Sequence, residues 1–365
     1  MRGDHRTVSV GDSQLASPPF RVLLLAPLSG ASGIWGPSAL HAAKVAVGQI
    51  NQTGGVGGRP VELIAVDAGQ SPDQVAKTLA RVLSDQHPNA VVGLHSSDLK
   101  PSVVAALGGA LPYVFTPLHE GEETARGVFT IGELPDQYIY PAIDWLMRER
   151  GVTAWSLFGS DFVGPRTCNR AARRYLEGKG AQVLDEAYFP VGASDYTAAL
   201  ERLAASSADC VLLSLLGDEA VYFNRAFAEF GLADRIVRLT FAVEENMLLA
   251  IGDEASQDLF AAAGYFASTP TPENAAFLKA YYDLGGPNAP PPNSLGESCY
   301  EGLHFLQALV RAAGATDLDR LVEAAASGVT YSGARGALFH RHNRSTMPAY
   351  LATARGGAFE IVARL

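Results

Sequence analysis

The chain of 365 residues is poor in cysteine, and its three, Cys168, Cys210 and Cys299, lie too far apart for a CxxC pair or a zinc pattern. That excludes the disulfide framework of a small secreted scaffold; the expected reading is three free, buried thiols, with a disulfide between two of them the alternative. Charge is also sparse, at 18% of residues, and the apolar share is 48%. A chain of that composition buries a core and is not disordered. Positive charge is in deficit, with 28 Lys and Arg against 38 Asp and Glu and a net charge of −10. Duplex-binding proteins carry a basic face, so nucleic acid is not an expected partner. No run of about 18 apolar residues occurs, so no membrane span is expected. In the N-terminal stretch MRGDHRTVSVGDSQLASPPF, Asp4, Asp12 and Ser13 break any signal-like apolar run. The expectation is a cytoplasmic protein, or a periplasmic one if the N-terminus is trimmed or mis-assigned.

Catalytic signatures are missing too. There is no GxSxG, HExxH or Walker A motif, and no GxGxxG after a strand. The glycine-rich GGVGGR at 54–59 lies after a helix and before a strand, the reverse of a phosphate cradle, and reads as a tight turn. His340 and His342 have no third ligand nearby, so neither a metal nor a cofactor is expected.

What is present is alternation. Continuous apolar runs such as RVLLLA (21–26), VELIAV (61–66) and AVVGL (90–94) alternate with helical patterns over 38–51, 73–86 and 98–108. A second series runs from 134, with strands at 155–159, 183–189, 210–216 and 237–241. Two such series predict an α/β protein of two doubly wound parallel-sheet lobes. A further run at 258–266 and three short strands near 336–339, 349–353 and 359–363 complete both lobes, so the chain crosses between them more than once. The expected division is 20–132 plus 265–338 for lobe one and 133–264 plus 339–365 for lobe two, with 1–19 a flexible tail. The crossings near 132–134, 264–268 and 339–342 form the expected hinge.

In open α/β sheets ligands sit beyond the carboxyl ends of the strands. Four loops there carry polar or aromatic groups: His95-Ser96-Ser97-Asp98, Thr116-Pro117-Leu118-His119-Glu120-Gly121, Ser160-Asp161-Phe162-Val163-Gly164-Pro165, and Ala242-Val243-Glu244-Glu245. Ser96 or Ser97 would cap the following helix, whose first N–H groups are free to meet an acceptor. Ordinary capping explains any one loop alone; convergence of all four on one cleft is the functional reading.

At these residues the chain resembles the type I periplasmic-binding-protein superfamily, in its leucine/isoleucine/valine-binding branch. Within that branch it is similar to the amide receptors that regulate aliphatic amidase expression and to urea- and short-amide-binding proteins. The marks are NQTGGVGGRPVELIAVDAGQSPDQ at 51–74, VVGLHSS at 91–97, FGSDFVGPR at 158–166 and ASDYTAAL at 193–200. The resemblance implies that Ser97, with Ser96 beside it, bonds the ligand, that Phe115 or Thr116 contributes from the next short strand, and that Phe162 closes over the site. It also implies a carboxylate role for Glu244. Departures are His95 in place of an aromatic, Phe162 in place of a frequent tyrosine, and Gly164 in place of a second one.

These groups suit a small polar ligand. A short amide or urea would place its oxygen on Ser97 and its NH2 on Glu244, and an amino acid its carboxylate and ammonium on the same groups. Trp35, Phe115 and Phe162 would supply an apolar wall, and Asp218 or Asp161 a further partner. The expected function is a non-enzymatic receptor closing on an amide, urea or amino acid, as a cytoplasmic sensor partnered by an antiterminator-type regulator. The alternative is the solute-binding subunit of an ABC importer, partnered by a permease. A hydrolase using Ser97 or Cys210 is the third reading, without an evident base partner for either.

Overall fold

The computed structural model describes residues 18–121 and 123–365. Of the tail expected over 1–19, residues 1–17 lie outside them. β1 (Phe20–Ala26) buries every residue except Arg21, as a strand covered on both faces must. It leads to α1 (Gly36–Gln52), β2 (Val61–Asp67), α2 (Pro72–Gln86), β3 (Ala90–Gly93), α3 (Lys100–Leu107), β4 (Tyr113–Phe115) and β5 (Val128–Thr130). These strands make one parallel sheet in the order β2-β1-β3-β4-β5. The order reverses between β1 and β3, which opens a crevice at their carboxyl ends.

The second lobe starts at α4 (Pro135–Arg150) and runs through β6 (Ala154–Ser160), α5 (Val163–Gly178), β7 (Gln182–Phe189), α6 (Thr197–Ala205), β8 (Cys210–Ser214), α7 (Asp218–Glu229), β9 (Val237–Thr240), α8 (Glu245–Ile251) and β10 (Leu259–Ala263). The chain then returns to lobe one as α9 (Pro272–Gly285), α10 (Ser294–Ala313) and α11 (Leu318–Ser327). α10 starts where the Asn293 side chain accepts from the Gly296 amide at 2.7 Å. It lies along α1 and against β3 and β4. The buried Ala39, Ala42, Ala43 and Ala46 of α1 allow helices and sheet to pack closely. Each large apolar side chain fully buried in this layer contributes about 1.5–3 kcal/mol.

β11 (Val329–Gly333), β12 (Gly336–Arg341) and β13 (Arg344–Thr346) form a separate antiparallel sheet. The short strand read at 336–339 is β12 of this separate sheet. The division drawn at 338/339 falls inside β12, and the chain enters lobe two only at β14 (Tyr350–Arg355) and β15 (Ala358–Arg364). Those two add antiparallel to an otherwise parallel sheet ordered β15-β14-β10-β9-β8-β6-β7. Three crossings therefore link the lobes, at 131–134, 264–271 and 347–349.

Candidate functional site

A cavity of about 240 Å³ lies between the lobes, at the carboxyl ends of the parallel strands of both sheets. Lobe one supplies Trp35 from the turn before α1, Gln70 after β2, His95 to Asp98 after β3, and Pro117, Leu118 and Glu120 after β4. Lobe two supplies Phe162, Gly164 and Cys168, with Val191, Ser214, Leu216 and Phe241 from the next strand ends. The walls are mostly apolar, and no lysine or arginine lines them among the described residues.

The lobe-one rim is built on Asp67 at the end of β2. Its carboxylate accepts from the Leu28 amide (2.8 Å), Ser29 Oγ (2.6 Å), the Gly69 amide (2.8 Å) and Gln70 Nε2 (3.0 Å). Burial alone would raise this carboxyl, but the four bonds hold it down to about 2. They tie the loop after β1 to the loop after β2, which fixes the cavity edge.

Of the residues singled out from sequence, Trp35, His95, Ser96, Ser97 and Phe162 line this cavity. Ser96 and Ser97 do not cap α3. The helix begins at Lys100 with Leu99 before it, because Ser96 to Leu99 form a turn in which the Leu99 amide donates to the Ser96 carbonyl at 3.2 Å. The Ser97 hydroxyl is thereby free to donate to Glu120 Oε1 at 2.6 Å. Trp35 is 4% exposed, and its Nε1–H has no hydrogen-bond partner. His95 is held by both ring nitrogens, Nδ1 at 2.9 Å from the Ser96 carbonyl and Nε2 at 2.5 Å from the Tyr113 hydroxyl. Its burial lowers the imidazole to about 4, so it is neutral at pH 7.

Four other candidates lie elsewhere. Phe115 is fully buried behind His95, with ring centroids 5.2 Å apart, and is not on the cavity wall. Thr116 and Glu244 line a second void of about 10 Å³, nearer the hinge. Glu244 Oε1 accepts the Leu295 amide at 3.0 Å, in the first turn of α10, while Oε2 has no partner. Burial raises its carboxyl well above the usual range, helped by repulsion from Glu245. Its expected place as acceptor in the main cavity is corrected accordingly. Asp218 lines neither space; its backbone amide donates to the Ala31 carbonyl of lobe one at 3.3 Å. Asn246 Nδ2 makes a like contact, donating to the Ile34 carbonyl at 2.7 Å. Asp161, the alternative to Asp218, pairs with Arg166 at 2.7 Å on the surface.

Sequence reasoning missed Glu120, although it stands in one of the four loops. The available signal was a carboxylate after β4, in the strand next to the one that carries Ser97. Of the nucleophile candidates, Ser97 donates to the Glu120 carboxylate, and Cys210 is fully buried in β8 with its thiol raised well above the usual range by burial.

A family model described as periplasmic binding protein matches residues 19–358. Among solved structures, an ABC transporter solute-binding protein from R. palustris in complex with 4-hydroxybenzoate is similar at TM-score 0.84 and 19% identity, over 95% of this chain and 97% of that one. An ABC transporter substrate-binding protein from Sphaerobacter thermophilus matches at TM-score 0.81 and 25% identity, over 95% and 98%. The branched-chain amino acid transporter substrate binding protein LivJ from Streptococcus pneumoniae, in complex with isoleucine, matches at TM-score 0.81 and 18% identity, over 95% and 99%. Matched over nearly its whole length, the chain belongs to the periplasmic-binding-protein family.

Proposed function

We propose that this protein is the solute-binding subunit of an ABC importer, closing its lobes on a ligand the size of an amino acid. The carrying observation is the interlobe cavity of about 240 Å³, with apolar walls and a few polar groups gathered on lobe one. Drug-sized ligands need about 300–1,000 Å³, so the guest is smaller. Water takes about 30 Å³ per molecule, so acetamide or urea would leave most of the space unfilled. The Ser97 hydroxyl, the Glu120 carboxylate and the unpartnered Trp35 N–H offer both acceptors and donors to a polar head. Phe162, Leu216 and Phe241 offer the rest of the guest an apolar bed.

The similar structures are named as transporter subunits, which favours the importer over the sensor reading. The importer reading requires the chain to work outside the cytoplasmic membrane. An adjacent permease and ATPase gene pair would support it, whereas an adjacent amidase or antiterminator gene would support the sensor.

A thermal-shift screen tests the ligand size. Aliphatic and aromatic amino acids should raise the melting temperature, by about 2.7 kcal/mol of added stability at a hundred times Kd. Stronger shifts with acetamide or urea would overturn the size argument.

A further inference from the structure

The small void near the hinge lies between the lobes, with Thr116, Leu295 and Ser298 on one side and Tyr138, Phe241 and Glu244 on the other. It shares Leu118, Leu295 and Phe241 with the main cavity, so these side chains form a partition between the two spaces. Leu118 and Leu295 belong to lobe one and Phe241 to lobe two. Parting the lobes breaks the partition and admits water to the void.

Glu244 stands in that void, 6% exposed. Its Oε1 accepts the Leu295 amide at 3.0 Å, a bond from lobe two to lobe one, and Oε2 has no partner. Among the described residues Arg335 is the only cation lining the void. Its guanidinium is already shared by Glu133 and Glu301, with Glu297 3.9 Å from Nε. Beside Glu244 on its own helix, Glu245 accepts the Ala267 amide at 2.7 Å. Tyr138 on the facing wall keeps its proton, because burial raises its hydroxyl. The charges around Glu244 are therefore other carboxyls and one guanidinium spent on them. A buried carboxylate with one neutral donor and no countercharge takes up a proton rather than keep its charge, whereas one in water ionises. Burial and the repulsion of Glu245 and Glu133 act on Glu244 in that direction.

We propose that Glu244 links closure to a proton: the lobes close with its carboxyl protonated from solvent and return that proton when the cleft opens, so acid favours the closed form. This rests on the lobe-closing reading above and adds a pH control to it.

X-ray scattering from ligand-free protein at pH 8 and pH 5.5 tests it. One linked proton changes the closed-to-open ratio by up to about tenfold per pH unit. The wild-type radius of gyration should fall between pH 8 and pH 5.5. Glu244→Gln has the shape of the protonated acid and should keep the smaller radius at both. Should that variant fail to fold, Glu244→Met, which buries no polar group, takes its place, and its radius should not change with pH. A wild-type radius that holds or rises in acid, or a folded variant that keeps the wild-type response, overturns the proton link. Either result leaves ligand binding to be decided by the thermal-shift screen.

Discussion

Arg335 and Glu133 pair, through Nη1 and Oε1, where the three chain crossings between the lobes meet. Glu133 belongs to the first crossing. Gly264 belongs to the second, and a Cβ added to it would collide with both Arg335 Nη1 and Glu133 Oε1. Met347 belongs to the third, its sulfur 3.2 Å from the same Nη1. Arg335 Nε also donates to Glu301 Oε1 at 2.9 Å, and Glu301 is fully buried. Removing the guanidinium leaves Glu133 and Glu301 uncompensated. Arg335→Met should destabilise the protein by about 3–5 kcal/mol, read from denaturant unfolding. Gly264→Ala should be destabilising as well, since what it meets is a buried ion pair with no room to shift.

Acid should weaken the fold through its buried histidines, against an opposite contribution from buried glutamates such as Glu244 and Glu245, whose raised carboxyls take up their protons in the folded state first. Burial lowers His95, His119, His304 and His340 from 6.5 to about 4 each. Below pH 6.5 the unfolded chain takes up protons that the folded one refuses, so stability is present above 6.5 and falls as pH drops towards 4. Asp67 adds a second loss with the same direction, between 3.8 and about 2, as its carboxylate bonds are protonated away. Unfolding free energies of wild-type protein and a His304→Phe variant measured at pH 7.5, 6, 5 and 4 check this; a variant whose stability falls with acid as steeply as the wild type contradicts it.

Gly164→Ala should separate stability from affinity. Gly164 lies in the first turn of α5, where alanine favours a helix by at most about 1 kcal/mol. The new methyl, however, would lie 3.0 Å from Glu120 Oε1 across the cleft, a contact that needs the lobes closed, and 3.2 Å from Phe162 Cε2 within its own lobe. The ligand-free melting temperature should hold or rise while affinity falls by about tenfold.

The three cysteines are free and buried. Burial pushes the Cys168 and Cys299 thiols up to about 12. A thiol reagent should therefore leave all three untouched in the native protein and titrate three after denaturation, and reductant should not change the melting temperature.

Much of the fold was legible because buried parallel strands write themselves as unbroken apolar runs. RVLLLA marks β1, and the helix read over 38–51 is α1 at Gly36–Gln52. β5 and β13, three residues each, are too short to carry a period. α8, seven residues long, escaped for the same reason. β11 alternates buried and exposed residues, but its partner is β12 in a separate sheet, and pairing of that kind is decided by tertiary contact. The site was legible loop by loop and not as a constellation. Ser97 and Phe162 were found because loops after parallel strands face the crevice. Glu244 was misplaced because the sequence does not say that the Leu295 amide claims its carboxylate. Glu120 was passed over because its place depends on a bond from Ser97, which lies in the loop after a different strand.

Three tethers gathered at one buried guanidinium leave the two halves little freedom to slide or swivel. They can part only like covers turning about a spine. Arg335 lines the small void beside the crossings and the exposed Val191 lines the main cavity, so turning about the first widens the second.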